Sequence, residues 1–268
     1  MGRKRKNKLI LNLEIVWNMP ATTIDEVITE LNKIIEAETS IASAMAFFPI
    51  LYKKVTERIK TGIVNNEFEN NLRMEKLDVL FANRYIEAYQ QLKDGLEPTE
   101  SWTRTFEASK EKGLLIMQHF LLGINAHINL DLGIAVAETV GEGESLIDLE
   151  NDFNKINGIL ASMVDDVQRR IGRVSPLFYL LEKIGKGRED KIVSFSINVA
   201  RDGAWAFANQ YYLSTNKPEE IRGRDRIIGA IATKLTTTKS RILRFTIRTI
   251  RFFETKDQKK VIAVLSEA

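Results

Sequence analysis

The 268-residue chain has no cysteine, which excludes disulfides, thiolate zinc sites and cysteine nucleophiles and leaves the redox compartment open. Only five prolines occur, and no strand-like alternation runs far, so periods of three to four residues dominate as in an all-α protein. Net charge is small, and +3 is too little to imply a nucleic-acid partner. Histidine is scarcer still, with two in the whole sequence. Both fall in one stretch, Gly113 to Val140, which carries no Asp, Glu, Lys or Arg from Leu114 to Leu130.

That stretch holds Gln118, His119, Asn125, His127 and Asn129 before it reaches Asp131. Burying an unpaired amide or imidazole costs about 1–3 kcal/mol, and a carboxylate more, so each of these groups needs a partner. At about 100° per residue, His119, His127, Asp131 and Glu138 share one side of a helix. Gln118, Asn125 and Asn129 share the other. The uncharged run is slightly short of the ~18–20 residues of a membrane span and is too polar for one. We therefore expect a buried central helix over about 113–140, inside an irregular multi-helix bundle of one large domain.

The rest of the chain supplies its surroundings. Thr22 to Glu26 opens a helix running to about Thr39, and a second covers Ser40 to Lys60 with a kink or break at Pro49 and an end at Gly62. Arg73 to Leu92 is a long helix whose apolar positions are Met74, Leu77, Phe81, Tyr85 and Ala88. Asp78 sits beside that stripe and points at the core. A short helix comes next over Glu100 to Lys112, with Trp102 and Phe106. The Gly141 to Ser145 turn is not a phosphate loop, since it lacks the Lys-Ser/Thr ending and a preceding strand. Leu146 to Ile171 is a helix or pair with Asn157 on its apolar face; Asp165 and Asp166 read as solvated acids. Ser175-Pro176 restarts the chain into a short apolar helix ending at Gly185. Asp190 to Leu213 presents Ala200, Ala204, Trp205, Ala206 and Phe207 inward, with Asn198, Arg201, Trp205 and Asn209 in a stripe. A buried Arg201 wants a carboxylate, for which Asp131 and Asp78 are candidates. After Pro218 a helix runs to about Lys234.

The two ends are basic. Gly2 to Lys8 resembles a signal-peptide n-region, but Asn12 and Glu14 interrupt the apolar run beyond it and no small-residue cleavage site appears. Nor is Gly2 a good myristoylation site, because Lys6 stands where Ser or Thr is wanted. A solvated tail and a cytoplasmic protein are the default. Near the other end, Arg241, Arg244, Arg248 and Arg251 line one face of a helix over 239–253, with Ile242, Phe245, Thr249 and Phe252 adjacent. Such a helix can meet an anionic membrane or nucleic acid. The favoured expectation is a peripheral helix docked by its apolar side, its arginines paired with surface acids.

Five blocks, at 47–59, 68–89, 117–135, 152–160 and 200–205, resemble an uncharacterised, mainly bacterial helical family of unknown function. Its hallmark is Gly-Ile/Met-Asn-Ala-His-Ile-Asn-x-Asp-Leu, here at 123–132. The resemblance covers about 22–215, implies accompanying motifs at Asp78, Asn157, Arg201 and Trp205, and brings no activity with it. It divides the chain into a lead-in (1–21), the family domain (22–215) and C-terminal helices packed on the same domain (216–268). A fainter similarity to zinc-dependent phospholipase C and single-strand nuclease enzymes rests on His119, Gly123 and His127. The acid after the glycine, the proline and the N-terminal tryptophan of those enzymes are missing.

The site admits three readings. In the first, His127 and Asp131 (i, i+4) and Asp78 hold one zinc, iron or manganese ion that activates water, as in a metal-dependent hydrolase, with Arg201 nearby. His119 lies about 12 Å further along the axis, at ~1.5 Å per residue, and cannot easily join the same ion. In the second, Asp131 accepts from His127 and Arg201 in a purely structural network. In the third, His119, Asn125, Asn129, Asn157, Arg201 and Trp205 help to line a pocket for an acidic or polar small molecule. The hydrolase is the function adopted from sequence, with the other two as alternatives.

Overall fold

The computed structural model describes residues 20–141, 144–185 and 196–267, and among these every regular element is helical. The basic start, part of the Gly141–Ser145 turn and the expected helix opening at Asp190 lie outside the described residues. Helix α1 (Ile24–Ser40) begins on Thr23, whose side chain accepts from the Glu26 amide. A turn and a short 3-10 segment (Ala44–Ala46) lead into α2 (Phe47–Val64). Pro49 stands in the first turn of α2, where a missing amide hydrogen is harmless, so the proline starts this helix instead of kinking it. The helix also runs past Gly62, contrary to expectation.

Helix α3 (Asn71–Lys93) is capped by Asn70 and α4 spans Glu100–Ala108. The central run comes next as α5 (Ile116–Ala126), a π-helical turn (His127–Asp131) and α6 (Leu132–Thr139). By length and composition this run is apolar enough to cross a membrane, and 83% of its most apolar window is buried inside the molecule. Helix α7 (Ile147–Val174) is one unbroken rod, succeeded by α8 (Tyr179–Gly185). Helices α9 (Ile197–Leu213), α10 (Lys217–Thr236), α11 (Arg241–Phe253) and α12 (Gln258–Ser266) complete the described chain.

The central run is gripped at both ends. Helix α5 packs against α2, α4 and α10, whereas α6 packs against α3 and α9. Gly133 allows the α6–α9 approach, because a Cβ there would lie 2.8 Å from the Ala204 carbonyl oxygen. Gly123 likewise makes room for the Phe48 ring, 2.5 Å from where its Cβ would stand. Facing helices are tied by buried acids set at helix starts. Asp152 accepts from the Glu69 and Asn70 amides ahead of α3, at 2.7 and 3.0 Å. Asp225 does the same for Glu100 and Ser101 at α4, at 2.6 and 2.9 Å. Glu254 takes the Ile116 amide of α5 at 3.2 Å and the Ser175 hydroxyl at 2.7 Å. Each carboxylate satisfies amide hydrogens that a helix start leaves without partners. The inner face of α9 departs from expectation at one position: Ala206 faces solvent, and Ala208 takes the inward place.

Candidate functional site: a buried His–Asp pair beside an apolar cavity

The π turn falls on the family hallmark. The Leu132 amide donates to the His127 carbonyl five residues back, and the added residue widens the helix locally. Arg224 of α10 donates Nε–H to the Asn129 carbonyl at 2.8 Å, covering one acceptor of this loosened turn. Such turns recur at functional sites.

His127 and Asp131 bond to each other within the turn, Nδ1 to Oδ2 at 3.1 Å, with both side chains fully buried. A carboxylate only accepts, so Nδ1 carries the hydrogen and the neutral ring turns the lone pair of Nε2 outward. Burial holds the imidazole pKa below its ordinary value, against the opposing pull of Asp131. Asp131 also accepts from Trp102 Nε1 at 2.9 Å and stands 3.6 Å from Arg84 Nε. Arg201 is thus not the cation of Asp131; Arg84 takes that place. The ring of Phe81 stacks on His127 at 3.6 Å, and Tyr52 meets it edge-on at 4.4 Å. Yet Nε2 finds no hydrogen-bond partner among the described residues.

His127 forms part of the wall of a cavity of about 340 Å³ between α2, α3, α5, α7 and α9. The lining is almost wholly apolar, with Leu51, Met74, Met117, Ile156, Met163 and Val167 typical of it. Asp78, His127, Gln168 and Arg201 are its polar exceptions, apart from the Tyr52 phenol. Of the described buried acids, Glu38, Asp131, Asp152, Asp225 and Glu254 all accept hydrogen bonds. Asp78 accepts none, and its Oδ2 is buried without a partner. Burial, helped by the charge of Glu75, pushes the Asp78 carboxyl up to about 8, so it is largely protonated at neutral pH.

Arg201 also reaches the cavity while 3% exposed. Its Nε donates to Asn157 Oδ1 and its Nη2 to the Phe153 carbonyl, both at 2.5 Å. The guanidinium lies 4.2 Å above the Phe153 ring. Among the described residues no carboxylate comes within ion-pair distance of it, which corrects the expected pairing with Asp131 or Asp78. Burial lowers its pKa to about 10, against the opposing charge of Asp202, and leaves it a cation at neutral pH.

The other expected site residues are used elsewhere. Asn125 donates to the Ile228 carbonyl at 3.1 Å and accepts from Asn129 at 3.1 Å. Gln118 donates to the Leu235 carbonyl at 2.8 Å. The amide stripe therefore fastens the central helix to α10 and does not line the cavity. His119 sets its ring edge against Phe47, 5.9 Å away, and is pushed down to about 4 by burial and then by Arg251. Trp205 packs on Phe153 at 4.8 Å and, like His119, is not part of the cavity wall. Asn157 serves the site indirectly, by holding Arg201.

Sequence reasoning alone misses Trp102 and Arg84 as partners of Asp131, although it places Trp102 on its helix. Their signal is the same as for Asp78: a polar atom on an apolar face that needs a mate. Among the described residues no three His, Asp or Glu side chains come together as a set for one metal ion. Asp131 in particular is committed to His127, Trp102 and Arg84.

Neither a curated protein nor a solved structure matches the chain. One family model does, a family of unknown function, over residues 24–238. That span extends beyond the 22–215 of the sequence resemblance into α10 and includes the π turn, the Asp131 partners and every polar group of the cavity wall. The chain belongs to that family of unknown function, DUF5995.

Proposed function

We propose that this protein binds a small, mainly apolar molecule with an acidic head, of the long-chain monocarboxylate type, within the cavity. The observation that carries the reading is a buried arginine, with no acid at ion-pair distance among the described residues, in the wall of a largely apolar space. That space, about 340 Å³, falls in the ~300–1,000 Å³ range of small-molecule sites. A buried guanidinium recognises a carboxylate through paired, charge-assisted hydrogen bonds, and Asn157 and Phe153 already hold its plane. The methionines of the wall adapt to tails of differing shape. Asp78, neutral in the ligand-free state, donates or accepts one hydrogen bond, and His127 Nε2 accepts another.

The test is titration of the purified protein with a fluorescent polyene fatty acid and with the matching alcohol. The acid should bind more tightly, and Arg201→Gln should cost it roughly 10–100-fold while barely changing the alcohol, as expected for a charge-assisted pair worth ~1.5–3 kcal/mol. Absence of binding by either probe, or equal binding of both by the parent protein, would discard the reading.

A second reading keeps the metal-assisted hydrolase, with zinc, iron or manganese. It is favoured by one observation: His127 Nε2 and Asp78 Oδ2, both buried and unpartnered, belong to residues of the same cavity wall. These two atoms, without Asp131, would then be the protein ligands, and the ion would displace the proton of Asp78. Elemental analysis of parent and His127→Ala protein separates this from the first reading. Stoichiometric metal lost in the variant supports it, and equal trace metal in both removes it.

A further inference from the structure

The sequence leads one to expect that helix α11 docks by its apolar side and pairs its arginines, and among the described residues it does each only in part. Leu243, Thr246 and Ile250 are buried, and Leu243 and Ile250 pack with Leu115 and Leu181. Beyond that narrow seam the helix keeps a second apolar strip. Ile242 is 58% exposed, Phe245 73%, Phe252 76% and Phe253 56%. With Phe245 at zero on a helical projection, Phe252, Ile242 and Phe253 fall within about 80° on one side or 20° on the other. Arg241, Arg248 and Arg244 continue the same exposed arc, from about 40° to 100° away. None of these three arginines has a carboxylate partner among the described residues. Arg251 alone is engaged, with Glu254 at 3.4 Å and the Lys112 carbonyl at 2.9 Å.

We propose that α11 docks this protein on an anionic lipid surface, with Phe245 and Phe252 entering the interfacial layer and Arg241, Arg244 and Arg248 meeting the headgroups. Charge complementarity selects this occupant. Residues 239–253 contain Lys239 and four arginines and no acid, so the strip attracts anions along its whole length. A second copy apposed through the same helix would set arginine row against arginine row. The chain's own start, with Arg3, Lys4, Arg5, Lys6 and Lys8, carries the same sign and is repelled. Duplex nucleic acid matches the charge but keeps its bases stacked away from two adjacent, largely exposed phenylalanines, whereas an interfacial helix wants an aromatic strip flanked by cations. Arginine stems can lie along the apolar zone while their heads reach phosphate. The proposal is independent of what the cavity holds.

The experiment is co-sedimentation of the full chain with extruded vesicles of phosphatidylcholine alone, or mixed with phosphatidylglycerol. Binding should need the anionic lipid and fall with added salt. The double substitution R244Q/R248Q should lower partitioning about 25-fold, at roughly fivefold per arginine. F245S/F252S, which leaves the charge unchanged, should lower it by at least about tenfold from the apolar area lost. Circular dichroism melts of both variants establish that they fold. Equal partitioning onto neutral vesicles, or none onto either, overturns the proposal. So does parental binding by F245S/F252S, which would mean charge alone. Preference for duplex DNA over vesicles, or a dimer that F245S/F252S abolishes, also overturns it by naming a different occupant.

Discussion

Six acids are buried in the described part of the molecule, and five are explained by what they hold. Asp152, Asp225 and Glu254 bond the amides at the starts of facing helices, Glu38 accepts from Tyr89 and Lys93, and Asp131 holds His127 and Trp102. Asp78 holds nothing. Its folded pKa of about 8 exceeds the ordinary 3.8, so between those values the folded state keeps a proton that the unfolded chain releases. Stability therefore declines as pH rises through this window. Asp78→Asn removes the titration. Thermal melts should show the variant gaining on the parent from pH 5 to pH 8, by a few kcal/mol at most, given ~1.4 kcal/mol per unit. A difference that stays flat with pH would contradict the protonated Asp78 described above. Asp78 was legible in the sequence because an acid beside Leu77 and Phe81 must be buried. The partner of Arg201 was not legible, because apolar periodicity shows which side chains turn inward but not which of them meet.

Helices were readable where capping residues mark a start, as in α1, or where three-four spacing runs long, as in α3. They were misread where a residue carries two meanings. Pro49 marks either a break or a first turn, and Gly62 either an end or a close approach. The π turn has no such mark at all: nothing in Ala-His-Ile-Asn-Leu-Asp separates it from α-helix, and the Arg224 side chain that covers its Asn129 carbonyl comes from a helix far along the chain. The grip on α6 gives a pair of expectations for this scale. Gly133→Ala forces a methyl into the Ala204 carbonyl and the Phe207 ring, both 2.8 Å away, and should cost about 1–3 kcal/mol of stability. Gly158→Ala, on an exposed helical position with nothing within 4 Å, should instead gain up to ~1 kcal/mol. Denaturant midpoints measured side by side read both signs, and a stabilising Gly133→Ala would mean that α6 and α9 do not meet as described.

For the whole molecule, hydrophobic patterning announces one domain around an apolar helix, and that helix is indeed wrapped on all sides. It announces no void. A cavity is the space that many apolar side chains from five helices fail to fill, and no single segment encodes it. An occupied void should tighten the fold. At a hundredfold excess over its dissociation constant, a long-chain acid should stabilise the protein by ~2.7 kcal/mol. That is a rise of about 5–10 °C in Tm for a domain of this size. Acetate, with the same head and no tail, should give no such rise, and Arg201→Gln should blunt it for the long acid. A melt indifferent to tail length would mean that the apolar space is not where the molecule binds.

The widened turn at His127–Asp131 also lets the central helix carry one residue more than a regular rod of the same phase. The bulge absorbs the ~100° that an inserted residue would otherwise add, so α6 keeps its face to α3 and α9 while α5 keeps its own to α2, α4 and α10. Losing one residue inside the turn would return it to regular α-helix and leave both grips in register. A descendant that no longer needed the imidazole would have a single-codon deletion as its shortest way out.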